Sequence, residues 1–221
     1  MNPPITICLI DDHKIVRQGL KELLEKVDNF KVIIEFESGT EFLKSLPLSP
    51  VPDLYILDYS MPNVTGIEVL QKLEELPDEY KVLLLSQHYD DSKIDAAFNH
   101  GARGFLNKNC SALELKTAIN KIHSVGYNNI VAIMERMKHF KPSSKTESIP
   151  NDLKITHQEL EFLKLVCLDE ELTYEQMAKI MKIPLKKIEN LRASLFDRFQ
   201  IKSKVGLVLF SYKYRLTEPF L

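Results

Sequence analysis

Cysteine is scarce: Cys8, Cys110 and Cys167 are the only three in 221 residues. They are odd in number and scattered, Cys8 in an apolar strand-like run and Cys167 in an apolar helical stretch. That excludes a disulfide framework and a zinc site, and it implies reduced thiols in a cytoplasmic protein. Long apolar runs are missing too; none approaches the roughly 20 residues that span a bilayer, so no membrane contact is expected. The opening Met1-Asn2-Pro3-Pro4 lacks the basic stretch and apolar stretch of a secretory signal. No glycine-rich loop is present to cradle a phosphate, and no internal repeat marks an array.

What is present is ordinary material for a packed core, 44% hydrophobic and 27% charged. The length fits one large or two small domains. The net charge of −2 hides an asymmetry. Residues 1–150 carry 17 Lys+Arg against 21 Asp+Glu, a balance of −4; residues 151–221 carry 12 against 10, a balance of +2. Residues 176–215 hold ten basic side chains and two acidic ones, Glu189 and Asp197, a block that suits a polyanionic partner.

From residue 5 to about 124, apolar runs at 5–10, 30–36, 54–57, 81–85 and 104–107 alternate with helical patterns. The runs are short, rich in Val, Ile and Leu, and mostly continuous, as parallel strands buried on both faces are. Helices are predicted over 13–26, 40–46, 65–76, 91–100 and 111–124. Thr65 with Glu68 and Ser111 with Glu114 fit a capping box, and Gly101 stands where a left-handed stop is expected. Five such units predict an α/β domain, a doubly wound five-stranded parallel sheet, over residues 1–125. Residues 126–152 read as a linker with a helical start over 130–140 and a polar, proline-flanked end at 141–150. Residues 153–221 read as an all-α domain. Thr156 with Glu159 and Thr173 with Gln176 begin two helices, Pro184 precedes a third over 185–199, and Ser203 caps a fourth. The short turn before Pro184, followed by a basic helix, predicts a helix-turn-helix.

Ligands of open parallel sheets bind beyond the carboxyl ends of the strands. Asp11-Asp12, Asp58, Ser86 and Lys108 follow the first, third, fourth and fifth runs, so they are expected to share one crevice. Each alone has a bland explanation, since adjacent Asp residues form turns and a lone lysine is solvated. Together they describe a site for a divalent cation and a phosphoryl group. Asp58 is the expected nucleophile, because a carboxylate can form an acyl phosphate. Hard oxygen donors suit Mg²⁺. Lys108 offers a compact charge for a phosphate oxygen, and the Ser86 hydroxyl can donate to another. His13 reads as a helix-start residue, and His88 and Tyr89 as surface-loop residues.

Residues 5–124 resemble the receiver domain of response regulators, a flavodoxin-like fold. The resemblance rests on Leu9-Ile10-Asp11-Asp12-His13, on Leu57-Asp58-Tyr59-Ser60-Met61-Pro62-Asn63-Val64-Thr65-Gly66, on Leu85-Ser86 and on Phe105-Leu106-Asn107-Lys108. It implies that Asp58 accepts phosphate from a sensor histidine kinase. It further implies Mg²⁺ at Asp11, Asp12, Asp58 and the Ser60 carbonyl, and Ser86 and Phe105 in the positions of the switch pair. The expected moving surface is the fourth helix, the fifth strand and the fifth helix, with homodimerisation on phosphorylation.

Residues 153–213 resemble the output domain of the NarL/FixJ (LuxR-type) regulators, through 155–163, 172–178 and Ile188-Glu189-Asn190-Leu191-Arg192. The usual pattern has a Lys where this chain has Glu189 and a His where it has Leu191. The resemblance implies DNA binding, with Lys186, Lys187, Asn190, Arg192 and Ser194 as expected contacts and Arg198, Lys202 and Lys204 as expected phosphate contacts. Ile188, Leu191, Leu195 and Phe199 are the expected core of that helix. A protein-interaction role for the helical domain is the alternative that Glu189 and Leu191 favour. A phosphatase working through an aspartyl-phosphate fits poorly, because Ser60 and no second acid stands two residues after Asp58; the chain is not expected to be an enzyme.

Overall fold

The computed structural model describes residues 3–76, 78–87, 91–128, 154–168 and 172–217. The chain divides into two compact units, residues 1–128 and 129–221. The first is built from β1 (Ile5–Ile10), α1 (Lys14–Val27), β2 (Phe30–Phe36), α2 (Gly39–Lys44), β3 (Leu54–Asp58), α3 (Gly66–Glu74), β4 (Val82–Ser86), α4 (Asp91–Asn99), β5 (Gly104–Asn107) and α5 (Ala112–Val125). Its five strands form one parallel sheet in the order β2-β1-β3-β4-β5. All five residues of β3 and of β4 are buried, which is why those runs lack polar alternation. One face packs Ile7, Leu9, Ile56 and Leu83 against Leu24 of α1 and Ile119 and Ile122 of α5.

Two capping boxes start helices of this unit. Thr65 and Glu68 open α3, and Ser111 and Glu114 open α5, each pair satisfying the other's backbone N–H. Gly101 has φ of +84° just beyond α4, the left-handed position expected there. The chain stays on this unit beyond α5: Tyr127 is fully buried and the Asn128 N–H donates to the Arg103 carbonyl at 2.7 Å. The rest of the expected linker, including its helical start over 130–140, lies outside the described residues.

The second unit contains α6 (His157–Val166), α7 (Tyr174–Met181), α8 (Leu185–Phe199) and α9 (Lys204–Lys213). Thr156 with Glu159 and Thr173 with Gln176 form the two expected capping boxes, and Ser203 caps α9. Lys182 adopts φ of +53° after α7, and Pro184 then opens α8, giving the short turn of a helix-turn-helix. Phe162, Leu163, Met177, Ile188, Leu195 and Val205 form the core. Leu191 and Phe199, expected there with Ile188 and Leu195, are only half-buried. No helix among the described residues is long and apolar enough to cross a membrane.

Candidate functional site

Strand register brings the predicted side chains of the first unit together. Ile10 of β1 is level with Leu57 of β3, so Asp11 and Asp58 are neighbours one residue further on. Asp58 is level with Leu85, and Ser86 with Asn107, so Ser86 and Lys108 follow along the same edge. Asp58 and Ser86 are the last residues of their strands rather than the first beyond them. This edge includes the point between β1 and β3 where the strand order reverses, the usual ligand position in such folds.

The crevice is strongly charged; Asp12 and His13 at its mouth are partly exposed, while the inner carboxylates are almost shut off from water. Asp11 is 3% exposed and Asp58 2%. Lys108 Nζ lies 2.8 Å from Asp11 Oδ2 and 2.8 Å from Asp58 Oδ2. Burial pushes the Asp58 carboxyl above the usual carboxylate range; Lys108 opposes that shift and the Asp11 charge adds to it. Burial pulls on the Lys108 ammonium in the downward direction, but its bonds to Asp11 and Asp58 prevail and leave it above its ordinary value. The Ser60 N–H donates to Asp58 Oδ1 at 3.2 Å.

His13 behaves differently from its expected part as a simple helix-start residue. It occupies the position before α1 but makes no side-chain cap. Asp11 Oδ1 accepts the His13 backbone N–H at 2.8 Å, and the imidazole turns onto the carboxylates. Its Nδ1 is 3.0 Å from Asp12 Oδ1, 3.3 Å from Asp11 Oδ1 and 4.0 Å from Asp58 Oδ2. His88 and Tyr89 lie outside the described residues.

Asp11, Asp12, His13 and Asp58 each offer a ligand atom within 4.8 Å of one another. Asp12 Oδ1 and Asp58 Oδ2 are buried, with His13 Nδ1 3.0 Å from the first and Lys108 Nζ 2.8 Å from the second. Three carboxylates gathered this closely supply the hard oxygen donors that fit Mg²⁺. Around them the backbone is tightly drawn. Gly66 donates its N–H to the Tyr59 carbonyl at 2.9 Å, and a Cβ there would stand 2.7 Å from the Asp58 carbonyl oxygen. Phe105 is 6% exposed and meets Tyr59 edge-on at 6.4 Å, while Lys93 of α4 lies over the Tyr59 ring at 5.1 Å. Neither the Tyr59 contacts nor the His13 orientation was read from the sequence, since both depend on packing between distant segments.

In the second unit the expected DNA contacts divide. Lys186, Lys187 and Asn190 project from α8 into solvent, although Lys186 is also 3.2 Å from Glu189. Arg192 packs its guanidinium over the Tyr174 and Phe196 rings, at 5.4 and 5.5 Å. Ser194 and Arg198 turn to Glu159, which is 3% exposed; Arg198 Nη1 is 2.6 Å from it, and Nη2 bonds the Lys154 carbonyl. Lys202 is half-buried. Lys204 corrects the sequence reading. It is 2% exposed, donates to the Leu172 carbonyl at 2.5 Å and lies over the Tyr174 ring, so the fold uses its charge internally.

A flavodoxin-like sheet with a cluster of carboxylates at its carboxyl edge, followed by a helix-turn-helix, defines a receiver joined to a helical output domain. Residues 7–120 match the response regulator receiver domain family, and the chain belongs to it, as a response regulator of the NarL/FixJ type. The transcriptional regulatory protein UhpA of Escherichia coli strain K12 is 42% identical over 122 residues, 55% of this chain and 60% of UhpA. The chain thus spans less than two thirds of that relative. The response regulator UvrY of the same strain is 25% identical over 215 residues, 96% of this chain and 95% of UvrY. Among solved structures, the RcsB response regulator of Salmonella typhimurium shares the fold, at a TM-score of 0.54 and 19% identity over 96% of this chain and 99% of RcsB. RcsB has also been solved in complex with DNA.

Proposed function

We propose that the chain is a cytoplasmic two-component switch in which Asp58 accepts a phosphoryl group from a phosphohistidine of a sensor histidine kinase. The observation that supports this most is Lys108 Nζ at 2.8 Å from both Asp58 and Asp11 in the acidic crevice. An Asp58 oxygen attacks phosphorus, the P–N bond breaks with its electron pair left on the imidazole, and an acyl phosphate forms. Asp11, Asp12, Asp58 and the Ser60 carbonyl would hold Mg²⁺, which when bound offsets charge on the transferred oxygens. Lys108 takes up one phosphate oxygen and the Ser86 hydroxyl donates to another. The new charge biases Ser86, Phe105 and the α4–β5–α5 surface toward a homodimer. The chain assists its own phosphorylation and dephosphorylation and turns over no other substrate. Incubation with acetyl phosphate and Mg²⁺ adds one phosphate per chain, and Asp58→Asn abolishes it; labelling that survives the substitution sinks the assignment.

The helical unit is proposed to bind DNA as a pair, on half-sites about one helical turn apart. The exposed Lys186, Lys187 and Asn190 of α8 and the basic excess of residues 176–215 support this, as does the shared fold with DNA-bound RcsB. A second reading, a protein-interaction module, is favoured by the internal engagement of Arg192, Arg198 and Lys204. Gel shifts on genomic fragments at several salt concentrations separate the two, because DNA affinity must fall as salt rises.

A further inference from the structure

We infer that Arg17 is a positioning residue for the acidic crevice: it grips the Asp11 carbonyl so that the Asp11 and Asp12 carboxylates hold the spacing a divalent cation requires. This inference rests on the reading of the crevice as a Mg²⁺ site.

Arg17 lies in the second turn of α1, and its side chain is 8% exposed. Its Nη1 donates to the Asp11 carbonyl oxygen at 2.7 Å. Its Nη2 donates to Glu37 Oε1 at 2.9 Å, and its Nε is 3.6 Å from Glu35 Oε2. On its other side, the Asp11 N–H reaches the Phe36 carbonyl at 3.3 Å, a long bond. That N–H belongs to the preceding peptide; the peptide joining Asp11 to Asp12 carries the carbonyl that the guanidinium grips. Rotation of that peptide would swing the Asp12 carboxylate relative to Asp11 and Asp58.

A core role alone explains Arg17 poorly. An apolar side chain would fill the same space without the desolvation that a buried ion pair must overcome. The planar fork, by contrast, holds a carbonyl and a carboxylate from separate nitrogens in a fixed geometry, where a Lys ammonium is a single point charge. The grip on β1 is anchored at Glu37, just beyond β2, so α1, β1 and β2 are tied at the one corner where the acidic pair emerges. Partners that orient metal ligands in this way typically change metal affinity 10–100-fold when removed.

The test is calorimetric titration of the full chain with MgCl₂, for wild type, Arg17→Gln, Arg17→Lys and Lys21→Gln. Lys21 is the control, because it shares α1 and pairs with Glu35 at 2.7 Å. The expected result is a Mg²⁺ affinity about 10-fold or more weaker in Arg17→Gln, with Lys21→Gln unchanged. In the acetyl phosphate reaction the half-saturating Mg²⁺ concentration should rise by the same factor while the rate at saturating Mg²⁺ holds, a split that general destabilisation would not give. Should Arg17→Gln fail to fold, Arg17→Lys, which keeps the charge and stem, supplies the same readout. Wild-type affinity in a folded Arg17 variant overturns this inference alone. Wild-type protein that takes up no Mg²⁺ overturns the reading of the crevice and this inference with it.

Discussion

The Lys108 ammonium stands 2.8 Å from the Asp58 carboxylate, and both are almost fully buried. Lys108 also meets Asp11 at the same distance, so one cation serves two anions. Its removal leaves two like charges facing each other in a poorly hydrated crevice. Lys108→Ala should therefore destabilise the metal-free receiver by on the order of 3 kcal/mol, the lower part of the range for breaking a buried pair. Millimolar Mg²⁺ should restore more stability to this variant than to wild type, because a divalent cation can take over the neutralisation. Urea unfolding with EDTA and with MgCl₂ measures both effects, and equal Mg²⁺ responses would refute the idea.

Asp58 makes the opposite contribution. Burial raises its carboxyl above the usual range, so between the ordinary carboxylate value and the raised one the folded chain holds a proton that the unfolded chain has released. Stability from this group is thus greatest below that window and falls as pH rises through it. At neutral pH the charged Asp58 is a burden that Asn would relieve. Asp58→Asn should raise the thermal midpoint of the metal-free protein at pH 7, with the advantage shrinking as the pH is lowered into the carboxylate range. Thermal melts across pH check it; an advantage that grows toward acid would contradict the sign.

Gly66 allows the loop after Asp58 to close. A methyl group there would meet the Asp58 carbonyl at 2.7 Å and Leu84 Cδ2 at 2.8 Å. Backbone cannot yield as a flexible side chain does. Gly66→Ala should cost about 1–3 kcal/mol through overpacking, and it should weaken Mg²⁺ binding because relief requires Asp58 to move. Calorimetry and urea unfolding on one variant give both numbers; lost stability with unchanged Mg²⁺ affinity would show that the strain is relieved at α3 instead.

The receiver was legible in the sequence because its site residues are strand ends. Once continuous apolar runs mark buried parallel strands, the residue at each carboxyl end has one edge to occupy, and Asp11, Asp58, Ser86 and Lys108 follow. Caps were legible for a similar reason, since Thr65 and Glu68 act within one turn. Arg17, His13 and Tyr59 were not, because their partners are set by how helices rest on the sheet. Lys204 shows the limit most clearly. A lysine in a basic block looks solvent-facing, and nothing local says that the Leu172 carbonyl and the Tyr174 ring will enclose it.

The same enclosure separates two kinds of basic residue in the helical unit. Lys187 is exposed, and its side chain makes no hydrogen bond or ion pair among the described residues. Arg198 instead holds the buried Glu159. Lys187→Ala should leave stability unchanged while lowering DNA affinity and reducing the salt slope by about one phosphate contact. Glu159→Ala should cost about 2–3 kcal/mol, through loss of the cap on α6 and of the charged bond to Arg198. Arg198→Ala should cost less than the removal of a wholly buried partner, because water reaches its side chain. Urea unfolding beside gel shifts at two salt concentrations tests the division. A Lys187→Ala variant with full affinity at both salts would assign the exposed face of α8 to a protein partner instead.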